Sequence, residues 1–374
     1  MPRPVIIIHF QPMELYPPVM NMIDFIHKQY QTKKVIVVTS SCNIDLEKFN
    51  LKGSNIVFKR VARLEKQQGS YTRYFNYFLF YVRCLLLLLK NKPSAVLYYE
   101  TLSSFPAWIY KKFINKKLPV FIHYHEYTSP SEYKKGMKMN HFFHKREKWL
   151  YKTASWISHT NSDRLKLFLK DELLNNNVAA NVLPNYPSKT WFVKKERNNS
   201  LPVKIVYIGA LSLDTMHTAS FVKWVLSQEG NVIWDIYSNN IDLPAQQFLK
   251  EVDTNIIRLH KGVNYCEIPL ILKNYTVGVI LYNGHIPNYI FNAPNKLFEY
   301  LACGLDVWFP IEMKGCFPYI TNGTYPKVLP LDFNKLQHFG LEVALNTDNC
   351  TYKQSDFYYE NIYPLLTRYL IKEH

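Results

Sequence analysis

Tyr275-Thr-Val-Gly-Val-Ile-Leu-Tyr282, then Pro294-Asn-Lys-Leu-Phe-Glu299-Tyr-Leu-Ala-Cys-Gly304, then Asp306-Val-Trp-Phe-Pro310, is the stretch on which the fold turns. The first and third runs are continuously apolar and short, as parallel strands buried on both faces are. The middle run reads as a helix. Asn292, Ala293 and Pro294 make a cap-like start with a pre-set φ, Lys296 to Ala302 are mostly good helix formers, and Gly304 supplies a C-terminal stop. Leu297 and Leu301 fall four apart on the core face, while Lys296, Glu299 and Tyr300 share an adjoining face near the first turn. A strand, helix and strand in this order make a βαβ unit. Its helix N-terminus then lies at the carboxyl edge of the sheet, where open α/β sheets bind ligands and where unpaired amides suit an anion such as a diphosphate. Glu299, one turn in, is placed to accept hydrogen bonds from the two vicinal hydroxyls of a ribose. The competing reading is an ordinary i,i+3 surface ion pair between Lys296 and Glu299, worth a few tenths of a kcal/mol.

Working outward, strand-like runs recur at Val5–His9, Lys34–Thr39, Asn55–Lys59, Ala95–Tyr99, Val120–His123, Trp156–Thr160 and Ala180–Leu183, with helical stretches between most of them. A second series follows at Val203–Ile208, Val232–Tyr237, Ile256–Leu259, Thr276–Leu281 and Asp306–Phe309. Such alternation predicts α/β architecture with parallel sheets covered on both faces. The expected organisation is a first Rossmann-like domain over 1–187, a polar connector over 188–202, a second Rossmann-like domain over 203–355 and a closing helix over 356–374.

The motif residues resemble the donor-binding pattern P-x-K-x-x-E-Y-x-A-x-G of the retaining family 4 glycosyltransferases of GT-B fold. Lys204-Ile-Val-Tyr-Ile-Gly-Ala210, Val182-Leu-Pro-Asn185, His159-Thr-Asn-Ser162 and Phe121-Ile-His-Tyr-His125-Glu126 are similar to further landmarks of that family, in the same order. The resemblance implies two Rossmann-like domains facing across a cleft, with the final helix crossing back to the first. It implies a nucleotide-sugar donor held by Gly209, Ala210, Asn283, Asn292, Lys296, Leu297 and Glu299. It also implies His125 near the transferred sugar, and Glu126 orienting it or the acceptor. Of the two histidines alternating along that strand, His125 at the carboxyl end is favoured over His123. No DxD-type carboxylate pair is present, so no metal and no cofactor beyond the nucleotide-sugar co-substrate is expected. Two departures stand out. Phe291 occupies the position of the family's first acidic residue, whose contribution is then absent or supplied by Asn288 or Asn292. The turn after Gly209 lacks the usual basic residue, leaving His217, Lys223 or Lys261.

Charge is shared unevenly. Residues 1–195 hold 31 Lys and Arg against 12 Asp and Glu, or +19, while residues 196–374 hold 14 against 17, or −3, which together give the net +16. A basic half faces something anionic: nucleic acid, an acidic glycan or a lipid surface. Within Tyr133–Lys152, Lys134, Lys135, Lys145, Arg146 and Lys148 interleave with Phe142, Trp149 and Tyr151, a pattern that suits an anionic membrane surface. Aromatics facing the core on a solvated helix are the alternative. No helix-turn-helix, RNA-recognition or zinc pattern supports a nucleic-acid partner. Phe78–Leu89 is too short and too interrupted by Arg83 to span a bilayer, and reads as a buried helix, contact of its exposed edge with lipid being the lesser alternative. The six cysteines show no metal or disulfide spacing, and the N-terminal apolar run reads as a strand rather than a leader. The matches to Asn-x-Ser/Thr at Asn198, Asn274, Asn322 and Asn349 read as chance.

The functional expectation is a cytoplasmic glycosyltransferase, peripheral on the inner face of the plasma membrane. It would extend a surface polysaccharide (capsule or lipopolysaccharide) or a lipid-linked glycan, with retention of configuration. The alternatives are a GT-B nucleotide-sugar epimerase and a non-catalytic partner in glycan assembly.

Overall fold

The computed structural model describes residues 3–41, 48–51, 55–64, 69–136, 138–174, 178–195, 200–252, 255–346 and 350–372. Of the sequence-stretch assignments, part of the connector (196–199) and the sites Asn198 and Asn349 lie outside them. The chain divides into two units, Met1–Asn185 with Tyr359–His374, and Tyr186–Tyr358.

Unit 1 contains β1 (Val5–His9), α1 (Pro17–Gln29), β2 (Val35–Ser41), β3 (Ile56–Arg63), α2 (Ser70–Asn91), β4 (Ala95–Tyr99), α3 (Ser104–Ile109), β5 (Val120–Tyr124), α4 (Pro130–Lys135), α5 (Lys138–Tyr151), β6 (Trp156–His159), α6 (Ser162–Asp171) and β7 (Ala180–Val182). Its seven strands are all parallel, in the order β3-β2-β1-β4-β5-β6-β7. β1, β4 and β5 are buried along their whole length, which is why each reads as an unbroken apolar run. The order reverses between β1 and β4, so the carboxyl ends of those two strands flank a switch point.

Unit 2 contains β8 (Val203–Ile208), α7 (Thr218–Leu226), β9 (Val232–Ser238), α8 (Leu243–Val252), β10 (Ile257–Lys261), α9 (Ile268–Leu272), β11 (Val277–Val279), α10 (Pro287–Ile290), α11 (Asn295–Ala302), β12 (Asp306–Pro310), β13 (Thr324–Tyr325), β14 (Val328–Leu331), α12 (Leu341–Leu345) and β15 (Thr351–Tyr352). The main sheet is parallel, ordered β10-β9-β8-β11-β12-β14, and reverses between β8 and β11. β14 was not read from the sequence because Pro330 interrupts it. An edge strand tolerates proline, having one side with no ladder to feed. The connector is partly structured: Lys189–Trp191 form a 3-10 turn with Trp191 buried, and the Val193 amide donates to the Ala302 carbonyl at 3.0 Å. The closing helix, α13 (Tyr359–Leu370), packs on α1 of unit 1. Tyr363 donates to the Pro18 carbonyl at 3.3 Å and Tyr359 to Asp24 at 3.1 Å.

Two surface readings are corrected. Phe78–Leu89 is not a buried helix. It belongs to the longer α2, which turns Phe80, Tyr81, Cys84 and Leu88 into the core but leaves Tyr71, Tyr74, Phe75, Phe78, Leu86 and Leu89 exposed. Because both faces are apolar, composition hides the difference, and only the single stripe that meets the sheet is covered. Tyr133–Lys152 is two helices, α4 and α5, broken at Gly136. On α5, Phe143, Leu150 and Tyr151 are buried, while Lys145 and Lys148 project outward and Trp149 is half-buried. Lys148 is tied to Glu172 at 2.9 Å, and Arg146 lies 3.4 Å over the Phe142 ring. Lys134 and Lys135 are exposed at the end of α4. Among the described residues no helix is long and apolar enough to cross a membrane.

Candidate functional site

α11 leaves the sheet at the switch point of unit 2. Pro294 stands before its first turn without a side-chain cap, and Gly304 just past its end takes φ +73, the left-handed conformation that glycine adopts without strain. The Leu297 side chain is fully buried, and its amide is engaged by the Pro294 carbonyl at 3.0 Å, so a ligand at this terminus shares that amide rather than finding it vacant.

Lys296 does not pair with Glu299. Its ammonium runs back over the carboxyl end of β8, 5.4 Å from the Tyr207 ring centroid and 5.8 Å from that of Tyr282. Gly209 makes this path possible. At φ +140 it is strained for any other residue, and a Cβ there would lie 2.8 Å from both Cε and Nζ of Lys296. Ala210 follows, exposed, its carbonyl accepting from the Tyr207 hydroxyl. The turn after β8 is laced to the end of β11: the Asn283 amide donates to the Thr215 carbonyl at 3.1 Å, its side-chain nitrogen to the Asp214 carbonyl at 2.9 Å, and the His217 amide to the Leu281 carbonyl at 2.8 Å. Two aromatic faces and one ammonium therefore converge at the reversal of the sheet. Cation–π contact holds the amine there without neutralising it.

Glu299 is buried, at 7% exposure. Burial pushes its carboxyl up to about 7, against the opposing pull of Lys296 and a hydrogen bond from Tyr265. Tyr300 beside it accepts the Ile208 amide at 3.2 Å, and its ring packs against Gly278 of β11.

The two departures from the family pattern take physical form. Phe291 ends α10, and the Phe291–Asn292 backbone sits on Gly315, where a Cβ would come within 2.5 Å. Asn288 is buried, and Asn292 is half-buried with its carbonyl accepting the Cys316 thiol. His217 does not supply the missing cation: burial holds it below the ordinary imidazole value despite Glu312 at 3.6 Å. Lys223 and Lys261 are exposed.

Unit 1 gathers a second cluster at its own switch point. His125 follows β5, stacked on Tyr99 (5.1 Å between centroids, 7° between planes), with Nδ1 3.2 Å from the Asn185 side-chain oxygen and Nε2 without a partner among the described residues. Arg164 holds the His125 carbonyl at 2.7 Å. Burial lowers His125 to about 4, so the ring is neutral at ordinary pH. Glu126 is exposed, and its amide shares the Glu100 carboxyl with the amide of His125, at 3.3 and 2.6 Å. His123 is spent internally, 2.8 Å from the Ser158 hydroxyl.

Sequence reasoning missed Glu100, Tyr207, Tyr265 and Tyr282. The signal for Glu100 and Tyr282 was available, since each lies at the carboxyl end of a strand next to a sheet reversal. The two other tyrosines meet Lys296 or Glu299 only through tertiary contact.

The charge state of Glu299 carries a first prediction. Its folded-state pKa is about 7 against an ordinary 4.5, so the folded protein keeps a proton that the unfolded chain releases. Stability is then greatest below about 4.5 and falls as pH rises through about 7, by roughly 2–4 kcal/mol. Glu299→Gln is expected to melt several degrees above the parent at pH 8 and close to it at pH 4.5. Melting curves at both pH values check this, and an equal shift at both would contradict it.

No known protein family matches the sequence, and no curated protein does. Solved structures do match. A lipopolysaccharide outer core galactosyltransferase, WaaB, is 13% identical with a TM-score of 0.62, covering 98% of this chain and 99% of its own. Sucrose-phosphate synthase from Thermosynechococcus elongatus is 12% identical with a TM-score of 0.69, covering 98% of each. A UDP-N-acetylglucosamine 2-epimerase is 11% identical with a TM-score of 0.60, covering all of this chain and 98% of its own. At such identities the likeness concerns the fold, and the fold is GT-B.

Proposed function

We propose that the protein is a glycosyltransferase that moves a sugar from a nucleotide-sugar donor to a growing surface glycan or lipid-linked acceptor, with retention and without a metal. The observation that carries this is the placement of Lys296 and Glu299 on one short helix at the sheet reversal of unit 2, with no ion pair between them and each in contact with aromatic groups. The ammonium is placed for a departing diphosphate, whose developing charge it offsets without having to reorganise. Glu299, as carboxylate, accepts the ribose hydroxyls, and the neutral His125 offers Nε2 to a hydroxyl of a sugar. Both GT-B glycosyltransferases and epimerases are among the structural neighbours, so the reaction is distinguished by whether a donor is converted with no acceptor present.

Thermal stability against a panel of UDP-, GDP- and CDP-sugars tests the reading. One donor at about 100-fold its dissociation constant is expected to stabilise by about 2.7 kcal/mol. The shift should disappear in Lys296→Ala. Persistence in that variant would remove Lys296 from the site, and stabilisation by no nucleotide-sugar would remove the donor assignment.

The anionic partner is, on this proposal, a membrane surface, and its contact is centred on α2 rather than on α4 and α5. Tyr71, Phe75, Phe78 and Leu86 are 94, 59, 62 and 58% exposed along one face, an apolar stripe that a soluble surface rarely leaves uncovered. Arg73, Arg83 and Lys90 are exposed on the same helix, and each is worth about 1 kcal/mol at an anionic leaflet. Sedimentation with phosphatidylglycerol vesicles is expected to bind the protein in low salt and lose it in high salt, with the double change Phe75→Ser and Phe78→Ser weakening binding at least about tenfold. Equal binding to phosphatidylcholine vesicles, or an unaffected double variant, would refute the surface.

A further inference from the structure

At the reversal of the unit 1 sheet a pocket of about 160 Å³ opens at the carboxyl ends of β1 and β4. Its lining includes His9, Tyr16, Tyr99, Glu100, Glu126 and Asn140. Three of these carry buried polar atoms that meet no partner in full hydrogen-bond geometry among the described residues: the Tyr99 hydroxyl, the Asn140 side-chain oxygen and the His9 ring, which has only the Gln11 backbone as a polar neighbour. His9 and Tyr99 are each only 1% exposed. An unsatisfied buried polar group is destabilising, so three on residues that line one cavity call for a ligand that supplies their bonds. Glu100 adds strain. It sits at φ 62 and ψ 155, a conformation that strains a non-glycine residue and clusters at functional sites.

The chemistry of the lining selects the ligand. Among the described residues that line the pocket there is no lysine or arginine, although this unit holds the whole positive excess of the chain, and Glu100 and Glu126 bring carboxyls. An anion is therefore disfavoured. Burial and the neighbouring Glu126 push the Glu100 carboxyl up to about 8, and burial lowers His9 to about 3, so both are uncharged near neutral pH and together offer donors and acceptors. The aromatic rings of Tyr16 and Tyr99 supply apolar faces, Tyr16 standing edge-on to His9 at 4.5 Å between centroids. Mixed donors and acceptors beside aromatic faces, in a cavity with room for one ring, match a polyhydroxylated pyranose.

We infer that this pocket binds a single uncharged sugar residue of the acceptor, with His9, Tyr99 and Asn140 as the hydrogen-bond partners of its hydroxyls. The inference rests on the glycosyltransferase reading above and narrows its acceptor to a glycan whose recognised residue bears no carboxylate or phosphate.

The test is ligand-observed NMR on the full chain without donor. The probes are the methyl glycosides of glucose, galactose, mannose and N-acetylglucosamine, set against methyl glucuronoside and glucose 6-phosphate. At least one neutral glycoside is expected to bind and both anionic probes to fail. Tyr99→Phe removes only a hydroxyl that bonds nothing in the protein, so a purely structural role leaves binding unchanged. As a ligand contact, its loss weakens binding by about tenfold. The exposed Glu126→Gln, which carries no folding risk, is expected to admit the anionic probes. No binding by any neutral glycoside, equal binding of the anionic ones, or an indifferent Tyr99→Phe overturns the inference. Donor binding is read separately through Lys296 and Glu299. If a nucleotide-sugar binds and no glycoside does, the pocket assignment alone falls. If a glycoside binds in a Tyr99-dependent way and no nucleotide-sugar does, the transferase reading falls and the pocket stands.

Discussion

Glu299→Ala is expected to lose both nucleotide-sugar stabilisation and sugar transfer, by at least about 100-fold in donor affinity. The carboxylate would accept two hydrogen bonds from a ribose, and charge-assisted bonds of this kind are worth about 1.5–3 kcal/mol each. Because the ribose is bound alike before and during reaction, the loss should fall mainly on donor KM rather than on kcat. The raised pKa adds a second signature. With the carboxyl at about 7, binding a ribose that donates to it requires the proton to leave. Donor affinity in the parent protein should therefore rise with pH up to about 7 and level off above it, with proton release below that point. Calorimetry in buffers of different ionisation enthalpy measures the release directly. A donor that binds equally tightly to Glu299→Ala, or with no proton released at pH 6, would take Glu299 out of the site.

Gly278→Ala is expected to be the most destabilising single-methyl change in unit 2. A Cβ at this strand position would lie 2.1 Å from Cδ2 and 2.3 Å from Cγ of Tyr300. The ring has nowhere to go: Tyr300 is 1% exposed, and its hydroxyl is held at 3.2 Å by the Ile208 amide. Overpacking of this kind costs about 1–3 kcal/mol or more, which for a domain of this size lowers the melting temperature by roughly 5–10 °C. The clash is specific, so Gly278→Ala combined with Tyr300→Leu should be less destabilised than the sum of the two single changes. Strict additivity in a double-mutant cycle would show that Tyr300 is not what Gly278 accommodates. Because Tyr300 neighbours Glu299 and reaches the end of β8, the single variant should also bind donor more weakly.

Much of the architecture was legible because parallel strands buried on both faces leave unbroken apolar runs. β1, β4, β5, β6, β11 and β12 are buried throughout and are recognisable in this way, and β14 is lost through Pro330. The ends of α11 were legible for a similar local reason, since Pro294 and Gly304 act through their own backbone preferences. The face that α2 buries was not, since apolar residues on both sides erase the period that would identify it. Of Glu100 only the position at the carboxyl end of β4 was legible: its role depends on a positive φ and on the amides of His125 and Glu126, which follow β5.

What the sequence by itself determined is the order of elements, the parallel character of both sheets and the motif that puts Lys296 and Glu299 on one helix. These follow from short-range periodicity and backbone preference. The tertiary structure decided how those groups are charged and where they reach. Lys296 is steered by Gly209 and by the rings of Tyr207 and Tyr282, while Glu299 is desolvated until its carboxyl titrates near neutrality. Desolvation and close approach depend on side chains brought together from distant parts of the chain, and no local pattern records them.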